Sequence, residues 1–213
     1  MAKTVYGIKS KNDEQAQALK WLTDASVDMV VLHGPAGTGK TLLAVAAGLA
    51  QVQDTKTYNE ILFTRAPVPI GQGLGFLPGE LDEKLAPWAG ALFDNLEMLV
   101  GDSKLTNDFV MKKLKLASLE HMRGRSLNNR YVIIDEVQNI TTAQLKVLLT
   151  RAGENTKIVC LGDNSQCDNK QLSTDNNALN TLIKIASNNE FIKIVEMQEG
   201  VRSRLCSWSV ENL

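Results

Sequence analysis

Gly34-Pro35-Ala36-Gly37-Thr38-Gly39-Lys40-Thr41 satisfies the pattern G-x-x-x-x-G-K-[ST], in which glycines let backbone N–H groups close around phosphate oxygens. With glycine near 7% of residues on average, a chance match in a chain of 213 residues arises on the order of once in a hundred. The flanks agree with the pattern. Met29-Val30-Val31-Leu32 precedes it, an apolar run long enough for one buried strand. Thr41-Leu42-Leu43-Ala44-Val45-Ala46-Ala47 follows, rich in helix formers and apolar nearly all round, as a buried helix requires. Strand, glycine loop and helix together aim N–H groups and a helix dipole at one point, where an anion is favoured. In that arrangement Lys40 reaches the β- and γ-phosphates of a nucleotide and the Thr41 hydroxyl ligates Mg2+. The alternative is a glycine-rich turn feeding an ordinary helix, which the flanks disfavour.

The rest of the composition narrows the class. A chain of 213 residues is long enough for one domain with a substantial core. A hydrophobic content of 44% beside 22% charged residues is that of an ordinary globular protein. A net charge of −1 gives no global basic field for nucleic acid, although a local basic patch is compatible with it. Cys160, Cys167 and Cys206 lack zinc-site spacing and are odd in number, which predicts reduced thiols and a cytoplasmic setting. No signal-peptide core follows Met1, and no apolar run approaches membrane-spanning length.

A second acidic motif completes the chemistry. Tyr131-Val132-Ile133-Ile134 is an apolar strand that ends in Asp135-Glu136. Downstream of a phosphate loop, such a strand delivers one carboxylate to the Mg2+ shell, here Asp135, and a general base for the attacking water, here Glu136. Lys157 to Asp163 reads as another buried strand, with Asn164-Ser165-Gln166 at its end. Polar groups past the carboxyl ends of parallel strands line the ligand crevice of open α/β sheets, so Gln166, with Asp163 beside it, is placed to sense the γ-phosphate or its water.

Further strands are expected at Val5-Tyr6-Gly7-Ile8, Glu60 to Arg65 and Phe191 to Glu196. Helices are expected at Ala16 to Leu22 (capped by Asn12 or Asp13), Leu81 to Val100, after Thr141, after Asp175-Asn176-Asn177, and from Arg202 onward. In the second of these Trp88, Leu92, Phe93 and Leu96 form a stripe expected to face the core. Alternation of strands and helices predicts a mostly parallel sheet covered on both faces, a three-layer αβα sandwich. Gln15 is open to two readings: a bidentate contact to an adenine edge, or a solvated first-turn glutamine. The loop from Ala66 to Gly79, dense in Pro and Gly yet apolar, is expected to touch a ligand, a neighbouring subunit or the core.

Gly34 to Thr41, Gly75-Phe76-Leu77-Pro78-Gly79, Met122-Arg123-Gly124-Arg125, Asp135-Glu136-Val137-Gln138-Asn139 and Gly162-Asp163-Asn164-Ser165-Gln166 together resemble the PhoH-like family in order and spacing across about Asn12 to Arg204. The resemblance implies a RecA-like P-loop domain that binds and hydrolyses ATP with Mg2+, similar to the first motor domain of superfamily 1 helicases. It implies that Gln15, in an Asn-x-x-Gln stretch with Asn12, contacts adenine. It also implies that Asp163 and Gln166 couple the γ-phosphate to nucleic acid, RNA or single-stranded DNA. The family's Val-Arg pair matches Val201-Arg202, making Arg202 the first candidate for an arginine supplied by a neighbouring subunit of a homo-oligomer, a hexameric ring being implied. Arg65, Arg151 and Arg204 are alternatives, and Ser203 onward departs from the family pattern. The chain resembles the bare ATPase core as one domain over residues 1–213, as in short phage-encoded members, with no second motor domain.

Two other functions compete with ATP hydrolysis coupled to nucleic acid. One is a nucleotide-gated switch or assembly scaffold with little turnover, which has no need of Glu136. The other is a small-molecule kinase, against which stands the lack of an arginine-rich lid with an acceptor pocket.

Overall fold

The computed structural model describes residues 3–66, 90–100, 110, 112–119, 122, 126–169, 171–173, 176–186 and 189–201. The Gly75–Gly79 loop, Trp88, Arg123 to Arg125, Arg202, Arg204, Cys206 and the expected final helix lie outside them. The elements run β1 (Thr4–Val5), β2 (Ile8–Lys9), α1 (Asp13–Leu22), β3 (Met29–His33), α2 (Lys40–Leu49), β4 (Glu60–Arg65), α3 (Gly90–Val100), β5 (Leu114–Leu116), β6 (Arg130–Asp135), α4 (Thr142–Leu149), β7 (Lys157–Gly162), α5 (Ala178–Ala186) and β8 (Ile192–Glu196). The expected strand at Val5-Tyr6-Gly7-Ile8 is instead the tip of a hairpin. Tyr6 (φ 48°) and Gly7 (φ 78°) both sit in left-handed backbone and turn β1 back on β2, the geometry a two-residue hairpin turn demands.

Strands β3 to β8 form one sheet in the order β5-β4-β6-β7-β3-β8, every described pair parallel. The two-residue period of a strand sorts its side chains. Val30, Leu32, Ile61, Phe63, Tyr131, Ile133, Val159 and Leu161 join one core, beneath α1, α2 and α3. Val31, Leu62, Val132, Ile134, Ile158 and Cys160 join the other, beneath α4 and α5. Helices on both faces of a buried parallel sheet give the expected three layers. Caps set where helices begin. Asn12 Oδ1 accepts the Gln15 N–H at 2.8 Å to start α1, and Thr141 with Gln144 forms a capping box on α4. In α3, Leu92 and Leu96 are buried as expected, but Phe93 is 37% exposed and leaves the stripe, being about 100° round the helix from Leu92.

The topology fixes where the site can be. The phosphate-loop strand β3 and the acid-bearing strand β6 are not neighbours; β7 lies between them. Three adjacent strand ends therefore bring the loop, the Asp163–Gln166 segment and the Asp135-Glu136 pair to one edge of the sheet.

Candidate active site

Those three strand ends wall a cleft of about 260 Å³, closed on a fourth side by Arg65 at the end of β4 and by Asn95 of α3. The phosphate loop takes the shape its glycines allow. Gly34 (φ 139°), Gly37 (φ 83°) and Gly39 (φ 91°) all have positive φ, a conformation that costs a residue with a Cβ about 1–2 kcal/mol. Gly39 is the left-handed N-cap of α2, so the helix starts at Lys40 without a side-chain cap. Thr38 is fully buried, its hydroxyl donating to the Pro35 carbonyl at 3.1 Å. Ala36, Gly37, Gly39, Lys40 and Thr41 line the cleft, while Gly34, Pro35 and Thr38 build the loop behind it. Lys40 Nζ donates to the carbonyls of Gly34 at 2.6 Å and Pro35 at 2.8 Å, curled within the loop.

The loop is braced from two sides. Gln15 is not the solvated first-turn residue of one sequence reading. It is 5% exposed, its Nε2 donates to the Thr38 carbonyl at 3.1 Å, and its Oε1 accepts the Lys11 N–H at 2.9 Å. On the other side the segment after β8 lies along the loop. Met197 N–H donates to the His33 carbonyl at 2.8 Å and Val201 N–H to the Gly37 carbonyl at 3.0 Å. Glu14 of α1 holds the same segment, its Oε2 accepting the N–H groups of Gln198 and Glu199.

On the acidic side, Asp135 is buried at the end of β6 and Oδ1 accepts the Glu136 N–H at 3.1 Å. Burial, followed by repulsion from Glu136, pushes its carboxyl up to about 6; the Arg65 and Lys40 cations oppose the shift. Glu136 sits at φ 58°, ψ 42°, left-handed backbone for a residue with a side chain, a strain of order 1–3 kcal/mol of the kind found at functional sites. Its carboxylate is held at both oxygens. Arg65 Nη2 donates to Oε1 at 2.9 Å, and Gln138 Nε2 makes a short hydrogen bond to Oε2. Asp163 and Gln166 stand opposite in the cleft wall. Asp163 Oδ1 accepts from the N–H and hydroxyl of Ser165, whereas its buried Oδ2 has no hydrogen-bond partner among the described residues.

The sequence-predicted residues Lys40, Thr41, Asp135, Glu136 and Gln166 thus share one cleft, with Gln15 behind the loop. Arg202 lies outside the described residues. Among the alternatives for an arginine acting from a neighbour, Arg65 sits in its own chain's cleft, and Arg151 lies between α4 and β7, at the opposite end of the sheet. Asn95 and Gln138 were not anticipated as site residues. A divalent cation suits this donor set. No cluster of three or more His, Cys, Asp or Glu side chains able to hold a metal occurs among the described residues. Mg2+, however, characteristically takes one or two carboxylates and completes its shell with phosphate oxygens and water.

The sequence model of the PhoH-like protein family matches residues 7–213. The chain is 40% identical over 213 residues to Protein PhoH2 of Bacillus subtilis (strain 168), covering 98% of this chain and 48% of that protein. It is 35% identical over 210 residues to Protein PhoH2 of Mycolicibacterium smegmatis, with the same coverage. The chain therefore spans about half the length of these curated relatives. Among solved structures, the HK97 bacteriophage large terminase superposes with a TM-score of 0.56 at 15% identity, over 87% of this chain and 39% of that one. The Pif1 helicase from Candida albicans gives 0.50, also at 15% identity, over 96% and 43%. At such identity the superpositions speak for the fold, an α/β P-loop architecture with a RecA-like parallel sheet. No described helix is long and apolar enough to cross a membrane. Matched over nearly its whole length by the family's model and by its members, the chain belongs to the PhoH-like family.

Proposed function

We propose that the chain binds ATP with Mg2+ in this cleft and hydrolyses the β–γ phosphoanhydride. The observation that carries the proposal is the convergence of the phosphate loop, Asp135, Glu136 and Gln166 on one cleft at the carboxyl ends of adjacent strands. The backbone N–H groups of Ala36, Gly37, Gly39, Lys40 and Thr41, which line the cleft, cradle the phosphates, and Lys40 turns from its own loop carbonyls to the β- and γ-oxygens. Thr41 and Asp135 would hold Mg2+, with Asp163, whose Oδ2 has no partner among the described residues, beside them in the cleft wall. When bound, Mg2+ would supply charge neutralisation to the phosphates during transfer. Glu136 takes the proton of the attacking water, and Gln166 contacts the γ-phosphate or that water. Gln15, with one amide hydrogen used on Thr38, reads the adenine edge.

Coupling of turnover to RNA or single-stranded DNA is the finer part of the proposal. It is supported by the likeness of Asp163 and Gln166 to a helicase motif and by the fold shared with a helicase. Residues 1–213 act as one ATPase unit, in a homo-oligomer whose neighbouring subunit supplies Arg202. The test is steady-state ATP hydrolysis with and without single-stranded RNA and DNA over a protein-concentration series. Stimulation by one nucleic acid, with specific activity rising as subunits associate, is the expected result. Turnover indifferent to both would remove the nucleic-acid coupling. ATP binding without turnover at any concentration would favour a nucleotide-gated switch.

A further inference from the structure

Resting on the ATPase proposal and deepening it, we propose that Gln138 is a positioning residue that locks the Glu136 carboxylate to the end of β7, and that turnover depends on this lock. Gln138 follows β6 in a short 3₁₀ turn and is fully buried. One amide makes three bonds. Nε2 donates to Glu136 Oε2 and to the Gln166 carbonyl at 3.1 Å, and Oε1 accepts the Asp163 N–H at 3.1 Å. The acid of β6 and the two polar residues after β7 are thereby tied to a single side chain.

The backbone does not make this connection. The registered pairing of β6 with β7 runs from Tyr131–Lys157 to Ile134–Cys160, short of Glu136 and Asp163. Beyond it the amide bridges the two strand ends. β7 leaves room for it: a Cβ on Gly162 would fall 2.8 Å from Gln138 Oε1, and 2.7 Å from Leu179 Cδ2, closer than such atoms approach. The turn is itself fixed from both sides, by the Asn139 N–H to the Glu136 carbonyl at 2.9 Å and by Asn139 Oδ1 accepting the Asp168 N–H at 2.8 Å. Gln138 does not line the cleft, so it acts on the reaction through Glu136.

A carboxylate with two hydrogen-bonding oxygens pivots about its χ angles unless both are held. Arg65 alone would hold Oε1 and leave the group free to swing; Gln138 on Oε2 removes that freedom. Because Gln138 also grips Gln166 and Asp163, a shift of the β7 segment carries the base with it. Misplacing a reacting group by about 1 Å costs on the order of a hundredfold in rate, whereas nucleotide affinity resides in the loop on the other side of the cleft.

The test is a double-mutant cycle, Gln138→Met in the wild-type and Glu136→Gln backgrounds, read as kcat and KM for ATP with nucleotide affinity measured alongside. In the wild-type background kcat is expected to fall about 10–100-fold, with KM and affinity within about threefold. In the Glu136→Gln background the same change is expected to cost much less, about threefold or under, since the base it positions is already disabled and only its hold on Asp163 and Gln166 is left to lose. Equal fold-losses in both backgrounds, or a loss of affinity matching the loss of kcat, would overturn the proposal and leave Gln138 a structural residue. If Gln138→Met does not fold, the isosteric Gln138→Glu takes its place in the same cycle. It places a second carboxylate against Glu136 Oε2, and the same pattern is expected. A wild-type protein that binds ATP without turnover overturns the ATPase proposal and this one together, whereas an active wild type with an equally active Gln138→Met variant overturns this one alone.

Discussion

Replacing Gly34 with alanine tests how the segment after β8 is seated on the phosphate loop. At φ 139° the position belongs to a region essentially confined to glycine. A Cβ there would lie 1.9 Å from the Met197 carbonyl oxygen, where real Cβ atoms keep beyond 3.0 Å. Either the loop rotates or Met197 retreats by about 1 Å, and the Met197–His33 hydrogen bond of 2.8 Å is lost in the process. Backbone strain of about 1–3 kcal/mol and a hydrogen bond worth about 0.5–1.5 kcal/mol add to roughly 1.5–4.5 kcal/mol. That is a large share of the 5–15 kcal/mol that typically stabilises a domain. Denaturant unfolding of wild type and Gly34→Ala, with the slope unchanged, measures the difference. Nucleotide affinity is expected to fall as well, because Gly37 and Met197 belong to the same seam. A variant within 0.5 kcal/mol of wild type, with full nucleotide affinity, would refute the reasoning.

Gly48 sets helix propensity against packing. Alanine is favoured by about 1 kcal/mol inside a helix, but a Cβ there would meet Tyr131 Cδ1 at 2.9 Å and Ile61 Cδ1 at 3.1 Å. Overpacking of about 1–3 kcal/mol is expected to win, so Gly48→Ala should lower the melting temperature; a rise would show that α2 can move off the sheet. Asp135 gives a pH signature in metal-free buffer. Its folded pKa of about 6 lies above the ordinary 3.8, so the folded state binds the proton more tightly. Its ionised form opposes folding above about pH 6, and that opposition fades as pH falls from 6 toward 3.8. Wild type is therefore expected to gain stability relative to Asp135→Asn as pH drops from 7 to 5, and a constant difference would contradict the buried, repelled carboxylate.

Much of the architecture can be read from the chain because each strand of the sheet carries its own signal. Val132 to Ile134 and Ile158 to Leu161 are continuous apolar runs, as strands buried on both faces must be, and the phosphate loop marks which strand end holds the site. Tyr6-Gly7 misleads because apolar neighbours mask a turn that depends on positive φ at both residues. Phe93 misleads because a hydrophobic residue beside a buried stripe need not share its face. The roles of Arg65, named from the sequence only as an alternative arginine from a neighbour, and of Gln138 are hidden for another reason. Arg65 meets Glu136 across 71 positions, and Gln138 meets Asp163 and Gln166 across 25 and 28, so the partners exist only once β4, β6 and β7 are side by side. A local trace of Gln138's place in the fold is Gly162, a strand residue whose missing side chain leaves room for the amide and for Leu179.

The most direct test of the central claim compares ATP hydrolysis by wild type and Glu136→Gln in the presence of Mg2+, with ATP affinity measured on the same samples. The account predicts measurable turnover by wild type and a loss of at least about a hundredfold in the variant, the scale of general-base catalysis, at unchanged affinity. Equal turnover by the two proteins would show that Glu136 is not the base and that the cleft does not work in the way proposed.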